Sequence, residues 1–208
     1  MNNNYIFVAN IVTELITCIS FILCFINAYF FNKINKYDKA LSLYIIFCFL
    51  FDLTNNILIK YKIPNIGLLP LFNTIEIILL LCFFYTSKKY KSNFILIFIS
   101  SFVINVCEIY TYFVQNNEII NSGRIYIALI FISIILYKLY NHTLDLKNLW
   151  LSYIMLLYFT VTFIQFLLLD FLVKIPDTSI FITWSIYAIS CSMLYIKSTH
   201  YIWENMKI

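Results

Sequence analysis

Charged residues, glycine and proline are all scarce in this chain of 208 residues. Only 12% of the residues are charged and 62% are hydrophobic, whereas soluble globular proteins have about 25% charged and about 45–50% apolar residues. This composition excludes an ordinary soluble domain and indicates that the solvent is the lipid bilayer. The net charge of +4 is spread over short connections, so no nucleic-acid partner is expected.

Motifs for catalysis and metal binding are also missing. With two glycines and three prolines, the broken helices of many secondary transporters are not visible. No GxSxG, P-loop or kinase motif occurs, and the two histidines, His142 and His200, form no HExxH pattern. The six cysteines lie in apolar runs without a CxxC pair and are interpreted as small buried hydrophobes. We therefore expect no catalytic residues, no metal site and no cofactor, and the sequence favours a protein that is not an enzyme.

Long apolar runs are what the sequence has instead. Each is about the length that crosses 30 Å of hydrocarbon as a helix, and a helix satisfies its own backbone hydrogen bonds in lipid. The predicted fold is therefore all-α, an integral membrane bundle of seven transmembrane helices forming a single domain over residues 1–208. The runs are Tyr5–Phe31, Ala40–Ile59, Gly67–Ser87, Asn93–Gln115, Arg124–Tyr140, Leu149–Val173 and Ile180–Ile196.

The distribution of basic residues predicts the orientation of these helices, because cytoplasmic loops are enriched in lysine and arginine. One side holds the connections after helices 1, 3 and 5 and the C-terminus, with Lys33, Lys36, Lys39, Lys88, Lys89, Lys91, Lys138, Lys147, Lys197 and Lys207. The other side holds Lys60, Lys62, Arg124 and Lys174. This asymmetry predicts an N-terminus outside and a C-terminus in the cytoplasm.

Four consecutive predicted helices each carry one acid with an amide three or four residues away, so that both share a helix face. With a rise of 1.5 Å per residue, the four acids fall in one layer about 10–15 Å below the outer boundary. A charged side chain in that layer is costly, so we expect the acids to converge on an interior pocket that opens outward. The predicted pocket residues are Asn10, Glu14, Asp52, Asn56, Asn73, Glu76, Asn105 and Glu108.

No basic residue is expected at the depth of these acids, since the nearest one, Arg124, is predicted at the outer mouth. A protonated acid, an amide hydrogen bond or a bound cation would then have to stabilise the layer, and Glu76→Gln is expected to preserve folding. Interhelical hydrogen bonding without any ligand remains an alternative explanation of the polar residues.

Three short segments carry a resemblance. They are "FDLTNN" at 51–56, "FNTIE" at 72–76 and Trp184 in the last run. In this order they resemble a group of small multipass proteins common in Bacteroidota, in which a polar-acid motif precedes an aromatic-Asn-x-x-Glu motif. The resemblance implies a seven-helix protein of the bacterial inner (plasma) membrane and implies no activity.

The leading hypothesis is a non-enzymatic inner-membrane protein whose acidic pocket binds a cation, a proton or a small ligand in a sensory or accessory role. The alternatives are a small ion or solute transporter or channel that uses the carboxylates, an intramembrane lipid-modifying enzyme, and a structural subunit of a membrane complex. Transport is disfavoured because the cytoplasmic half looks mostly apolar, as in "IILLLCFFY". The expected partners are the lipid bilayer, a small ligand or cation and a membrane protein.

Overall fold

The structure is a computed structural model. It describes residues 3–36, 38–61, 66–84, 91–114, 121–141, 146–169 and 177–206, with the backbone alone at 3–10, 13, 59, 66, 91–93, 112–113, 146–148 and 177–181. Seven α-helices occur in these residues: α1 (Asn3–Phe30), α2 (Lys39–Lys60), α3 (Leu69–Phe84), α4 (Lys91–Val114), α5 (Ser122–Tyr140), α6 (Leu146–Leu167) and α7 (Asp177–Glu204). Short 3-10 helices follow α1 at Phe31–Lys33 and precede α3 at Ile66–Leu68.

The prediction of an all-α fold is confirmed for the described residues, which contain no strand. Each helix coincides with one apolar run of the sequence. This is expected because lipid offers no hydrogen-bond partners, and a helix pairs its own backbone N–H and C=O groups. α5 begins at Ser122, two residues before the predicted start. This small difference matters below, because it places Gly123 and Arg124 inside the first helical turn.

Five helical segments are long and apolar enough to cross a membrane: Glu14–Lys33, Lys39–Leu58, Phe94–Thr111, Ser122–Tyr140 and Leu149–Leu167. α3 is a shorter apolar helix of 16 residues, which corresponds to about 24 Å. α7 has 28 residues and carries more polar side chains along its length. The chain is thus a membrane-embedded helical protein, while the count of seven spans and the orientation stay predictions.

Each helix packs against the next one along the chain, and α7 packs against α1, which closes the bundle. Successive helices run in opposite directions. Between α5 and α6, Phe131 contacts Phe159 and the earlier residue Arg124 contacts the later residue Phe166. α1, α3, α5 and α7 therefore begin at one end, here called the N-terminal end of the bundle. The opposite end, where α7 finishes, is called the C-terminal end.

Aromatic and aliphatic side chains fill the centre of the bundle. Phe131 of α5 stacks on Phe159 of α6 with ring centroids 4.7 Å apart, and Phe84 of α3 lies 5.9 Å from Phe131. Close packing of these side chains stabilises the bundle, because contacts with lipid would not fully replace the dispersion attraction between them. Above this packed layer, toward the N-terminal end, the interior becomes polar.

Candidate functional site

Arg124 and Glu76 form an ion pair inside the bundle. The Arg124 Nη1 atom contacts the Glu76 carboxylate, and the exposed fractions of the two side chains are 1% and 0%. The expectation that no basic residue reaches the acid layer is therefore wrong. An ion pair removes much of the cost of placing either charge in a membrane-spanning helix bundle.

The length of the arginine side chain explains this difference. Arg124 is the third residue of α5, so its backbone does lie near the N-terminal end, as the sequence indicated. Its guanidinium nevertheless contacts Tyr158 and Tyr187, which lie well inside α6 and α7. A long basic side chain usually extends toward the membrane surface, but here it is directed inward, because Glu76 and the tyrosine hydroxyl groups are there to bind it.

Three tyrosines surround the ion pair. The Tyr44 and Tyr158 hydroxyl groups donate hydrogen bonds to Glu76 Oε1 over 3.0 and 3.1 Å. Arg124 Nη2 donates to the Tyr158 hydroxyl and, over 3.3 Å, to the Tyr187 hydroxyl. The set Asn73, Glu76, Arg124, Tyr44, Tyr158 and Tyr187 is called the Arg124 network below. It joins α2, α3, α5, α6 and α7 through hydrogen bonds to charged groups, which are stronger than those between neutral groups.

Aromatic faces cover the guanidinium. Its central carbon lies 5.2 Å from the centroid of the Phe72 ring and 5.9 Å from that of Phe166. Cation–π attraction at a desolvated site adds to the ion pair. The charge of Arg124 is therefore balanced by one carboxylate and by several aromatic rings.

Glu108 of α4 has a different task from Glu76. Its Oε1 atom accepts the Gly123 backbone N–H over 2.6 Å and the Ser122 hydroxyl over 2.9 Å. These groups belong to the first turn of α5, where backbone N–H groups lack partners within the helix and a negative charge is favourable. Glu108 is thus a capping group supplied by a neighbouring helix.

Gly123 allows this close approach of α4 and α5. A Cβ atom at this position would lie 2.8 Å from Glu108 Oε2 and would also collide with Asn105 Oδ1. A side chain would therefore displace the Asn105 amide and the Glu108 carboxylate that caps α5. The absence of a side chain at residue 123 is a steric requirement of the site.

Two asparagines connect the Glu108 cap to the Arg124 network. Asn73 Nδ2 donates to Asn105 Oδ1 over 3.5 Å, and Arg124 Nη1 is 3.5 Å from Asn73 Oδ1. Four of the eight predicted pocket residues, Asn73, Glu76, Asn105 and Glu108, are therefore brought together. All four are buried.

The structure does not bring the other predicted residues into this cluster. Glu14 and Asn56 are exposed, and Asp52 is half-buried. The Asn10 side chain lies outside the described residues. Of the four acids expected to converge, Glu76 and Glu108 lie in the connected cluster, whereas Glu14 is exposed and Asp52 has no hydrogen bond to the cluster among the described residues. Trp184, the matched aromatic of the last run, is partly exposed and contacts Phe166 and Tyr187 edge-on.

A second group of polar side chains lies near the C-terminal end of the bundle. Asn27 of α1 donates a hydrogen bond to Thr199 of α7 over 2.8 Å, and Ser42 of α2 and Ser198 of α7 are fully buried. Asn27, Ser42, Ser198 and Thr199 are called the α1–α2–α7 cluster. The interpretation that this half of the bundle is mostly apolar agrees with its buried hydrophobic residues, and the α1–α2–α7 cluster is a local exception to it.

Both polar regions contain buried atoms without a hydrogen-bond partner among the described residues. Near the N-terminal end these atoms include Arg124 Nε and Asn105 Nδ2, with Gln165 Nε2 of α6 also unpaired, and at the C-terminal end they are Asn27 Oδ1, Ser42 Oγ and Ser198 Oγ. Buried polar atoms are nearly always paired with protein or water. The first pair can donate hydrogen bonds to a guest, whereas the second set consists of oxygens.

No protein-family model, curated protein or solved structure matches the chain. The resemblance to small multipass proteins of Bacteroidota accordingly stays a prediction, and the chemistry has to be read from the side chains themselves.

The sequence contained one signal for the residues that were missed. Gly123 is one of only two glycines in the chain and stands directly before the only arginine. A rare glycine at a helix start indicates a close approach of another group. The three tyrosines offered no such signal, because they are among 17 in the chain.

Proposed function

We propose that the chain is a non-enzymatic protein of the bacterial inner membrane that crosses the bilayer seven times, with the N-terminus outside. We further propose that it has a sensory or accessory role, and that the Arg124 network is where it responds to a small polar ligand or a proton. The observation that carries this proposal is a buried arginine, ion-paired to Glu76, whose Nε–H has no partner in the part of the chain that the structure describes.

The contacts favour a ligand with hydrogen-bond acceptors over a cation at this site. Glu76 is already paired with Arg124, and Glu108 is occupied by the first turn of α5. The unpaired atoms, Arg124 Nε and Asn105 Nδ2, are both donors. A carbonyl, carboxylate or hydroxyl oxygen can accept from them, whereas the carboxylates of Glu76 and Glu108 are already engaged within the protein.

Binding of small carbonyl compounds tests this proposal. The unfolding temperature of the purified full chain is measured with acetamide, which is neutral, and with acetate, which is charged. We expect a saturable increase with at least one of them, because a ligand that binds only the folded state stabilises it. Asn105→Ala should remove the increase, and Asn56→Ala, at an exposed asparagine of α2, should retain it. Equal unfolding temperatures with and without both compounds would contradict a ligand site.

A transporter is the second candidate, and the α1–α2–α7 cluster favours it. Transport requires polar groups in both halves of the membrane. Tyr44, which donates to Glu76, also packs on Tyr195 with ring centroids 6.4 Å apart, and thus connects the Arg124 network toward the cluster. Uptake of radioactive sodium or rubidium by liposomes containing the chain tests this candidate, with Ser42→Ala in the α1–α2–α7 cluster as the variant expected to lose uptake. Uptake no greater than that of empty liposomes would contradict it.

A further inference from the structure

Three buried oxygens of the α1–α2–α7 cluster have no hydrogen-bond partner among the described residues. They are Asn27 Oδ1, Ser42 Oγ and Ser198 Oγ, on three helices that pack against one another. The side chains of Ser42 and Ser198 are 0% exposed and that of Asn27 is 2% exposed. A helical serine can usually bond to the carbonyl group one turn earlier, so two unpaired serines at one interface need an explanation.

Contacts between α1 and α2 place Asn27 and Ser42 at the same level. Phe21 of α1 packs on Phe49 of α2 with ring centroids 5.5 Å apart. The two helices are antiparallel, so the residue six positions after Phe21 in α1 lies opposite the residue six positions before Phe49 in α2. Asn27 therefore lies opposite Leu43, the residue next to Ser42.

Contacts between α2 and α7 place Ser198 at this level as well. The Tyr201 hydroxyl of α7 hydrogen-bonds the carboxylate of Asp38, which directly precedes α2. Because α2 and α7 run in opposite directions, Ser42, four residues after Asp38, lies at about the same level as Ser198, three residues before Tyr201. The three unpaired oxygens thus share one level where three helices meet.

Two hydrogen bonds fix the orientation of the Asn27 side-chain amide. Asn27 Nδ2 uses its two hydrogens on Leu23 O and Thr199 Oγ1, both at 2.8 Å. Its Oδ1 atom therefore acts only as an acceptor. Together with Ser42, Ser198 and Thr199, the cluster offers four side-chain oxygens from three helices, and no nitrogen is left over to donate to an anion.

The partial charges of the helix ends favour a cation of low charge inside the cluster, whereas the lysines that the structure describes at this end are not among the buried residues. α1 and α7 both finish near this level, and the C-terminal end of a helix carries partial negative charge. Asp38, which directly precedes α2, lies one turn before Ser42 and is the nearest acid to it along the chain. Divalent ions prefer several carboxylates, which the described part of the cluster does not offer, while neutral oxygens suit ions such as sodium and potassium.

We propose that Asn27, Ser42, Ser198 and Thr199 form a binding site for a monovalent cation at the junction of α1, α2 and α7. The site is separate from the Arg124 network and does not depend on the function proposed for it. A bound ion would satisfy all three unpaired oxygens at once and would tie α1 and α2 to α7.

Salt-dependent unfolding of the full chain tests this proposal. The unfolding temperature is measured in sodium chloride, potassium chloride and choline chloride at equal ionic strength, because choline is too large for the site. We expect a saturable increase with sodium or potassium and none with choline. Ser42→Ala and Ser198→Ala should each weaken the apparent affinity by about tenfold or more, since each removes one of few ligands.

Ser101→Ala is the matched control, because Ser101 is also a buried serine without a partner but lies on α4. It should retain the full response to the cation. Equal unfolding temperatures in the three salts would overturn the proposal and leave a buried water as the partner of these oxygens. An unchanged affinity in both serine variants would overturn it equally, and if one variant fails to fold, the other decides.

Discussion

Arg124 on α5 contacts Glu76 on α3, and both side chains are completely enclosed by protein. The two residues are separated by 48 positions in the chain and belong to helices that are not consecutive. The pair and its tyrosine partners therefore fix the position of α5 relative to α3, α6 and α7. A buried pair of this kind is costly to break, because the remaining partner is left as an isolated charge.

The first prediction concerns this pair. Arg124→Gln and Glu76→Gln should each destabilise the protein by about 3–5 kcal/mol, since each leaves one buried charge without its partner. This reverses the expectation from sequence that Glu76→Gln preserves folding. Unfolding of the purified protein by denaturant measures both losses. The double variant should lose less than the sum of the two, because no isolated charge remains.

Glu14→Gln provides the control, as Glu14 is the exposed acid of α1. It should change stability by less than about 0.5 kcal/mol. Strictly additive losses in the double variant would mean that Arg124 and Glu76 do not interact in the membrane.

The second prediction concerns the contact between α4 and α5. Gly123→Ala should cost about 1–3 kcal/mol, because the new methyl group collides with Glu108 and Asn105. Ser122→Ala, which removes only a hydroxyl donor to Glu108, should cost about 1 kcal/mol. The same unfolding measurement checks both, with Gly67→Ala at an exposed glycine as the control. An effect of Gly123→Ala no larger than that of Gly67→Ala would show that the space at residue 123 is not needed.

The third prediction concerns pH and Asp38, which lies between the first two membrane-spanning segments. Burial raises the pKa of Asp38, and the hydrogen bond from Tyr201 partly lowers it. A raised pKa means that folding favours the protonated form, so this contribution to stability is complete below about pH 3.9 and is lost as the pH rises through the folded-state pKa. Asp38→Asn should remove this loss.

Unfolding temperatures are measured from about pH 3.5 to about pH 8, which covers the titration of an aspartate whose pKa is raised above about 3.9. A fall in unfolding temperature as the pH rises confirms the sign. Choline chloride is used as the salt, so that sodium and potassium do not stabilise the ionised form. Tyr201→Phe should steepen the loss, because the ionised carboxylate then lacks its donor. Parallel pH profiles for wild type and Asp38→Asn would contradict this role of Asp38.

The fourth prediction concerns orientation. Lys36→Cys and Lys62→Cys are placed in a background without native cysteines and labelled in intact cells with a membrane-impermeant maleimide. Lys62→Cys, in the connection after α2, should be labelled, and Lys36→Cys, after α1, should be labelled only after the membrane is opened. The reverse pattern would invert the proposed topology. Labelling of both positions would mean that α2 does not span the membrane.

The sequence predicted the helices well, because apolar runs and helical spacing are properties of the local chain. It also placed Asn73 with Glu76 and Asn105 with Glu108 on common faces, and these four residues do lie together. It could not find the partner of Glu76. Depth was counted from backbone rise alone, which ignores the length of the Arg124 side chain.

The sequence also could not predict which face of each helix points toward the interior of the bundle. Glu14 and Glu108 each follow an asparagine by about one helical turn, Asn10 by four residues and Asn105 by three, yet Glu14 is exposed and Glu108 is buried. Spacing indicates which residues share a face, but the rotation of that face toward the interior depends on the neighbouring helices. For Glu108 the decisive neighbour is Gly123, 15 residues further along the chain.

The pairing of α3 with α5 also bears on how the chain is made. A ribosome adds about 5–20 residues per second, so Arg124 is synthesised roughly 2–10 s after Glu76, given the 48 residues between them. During this interval the short α3 carries a carboxylate whose charged partner does not yet exist. Tyr44, on the preceding helix, is already present and donates to the same carboxylate. This hydroxyl is therefore positioned to stabilise the nascent α2–α3 pair until the arginine arrives.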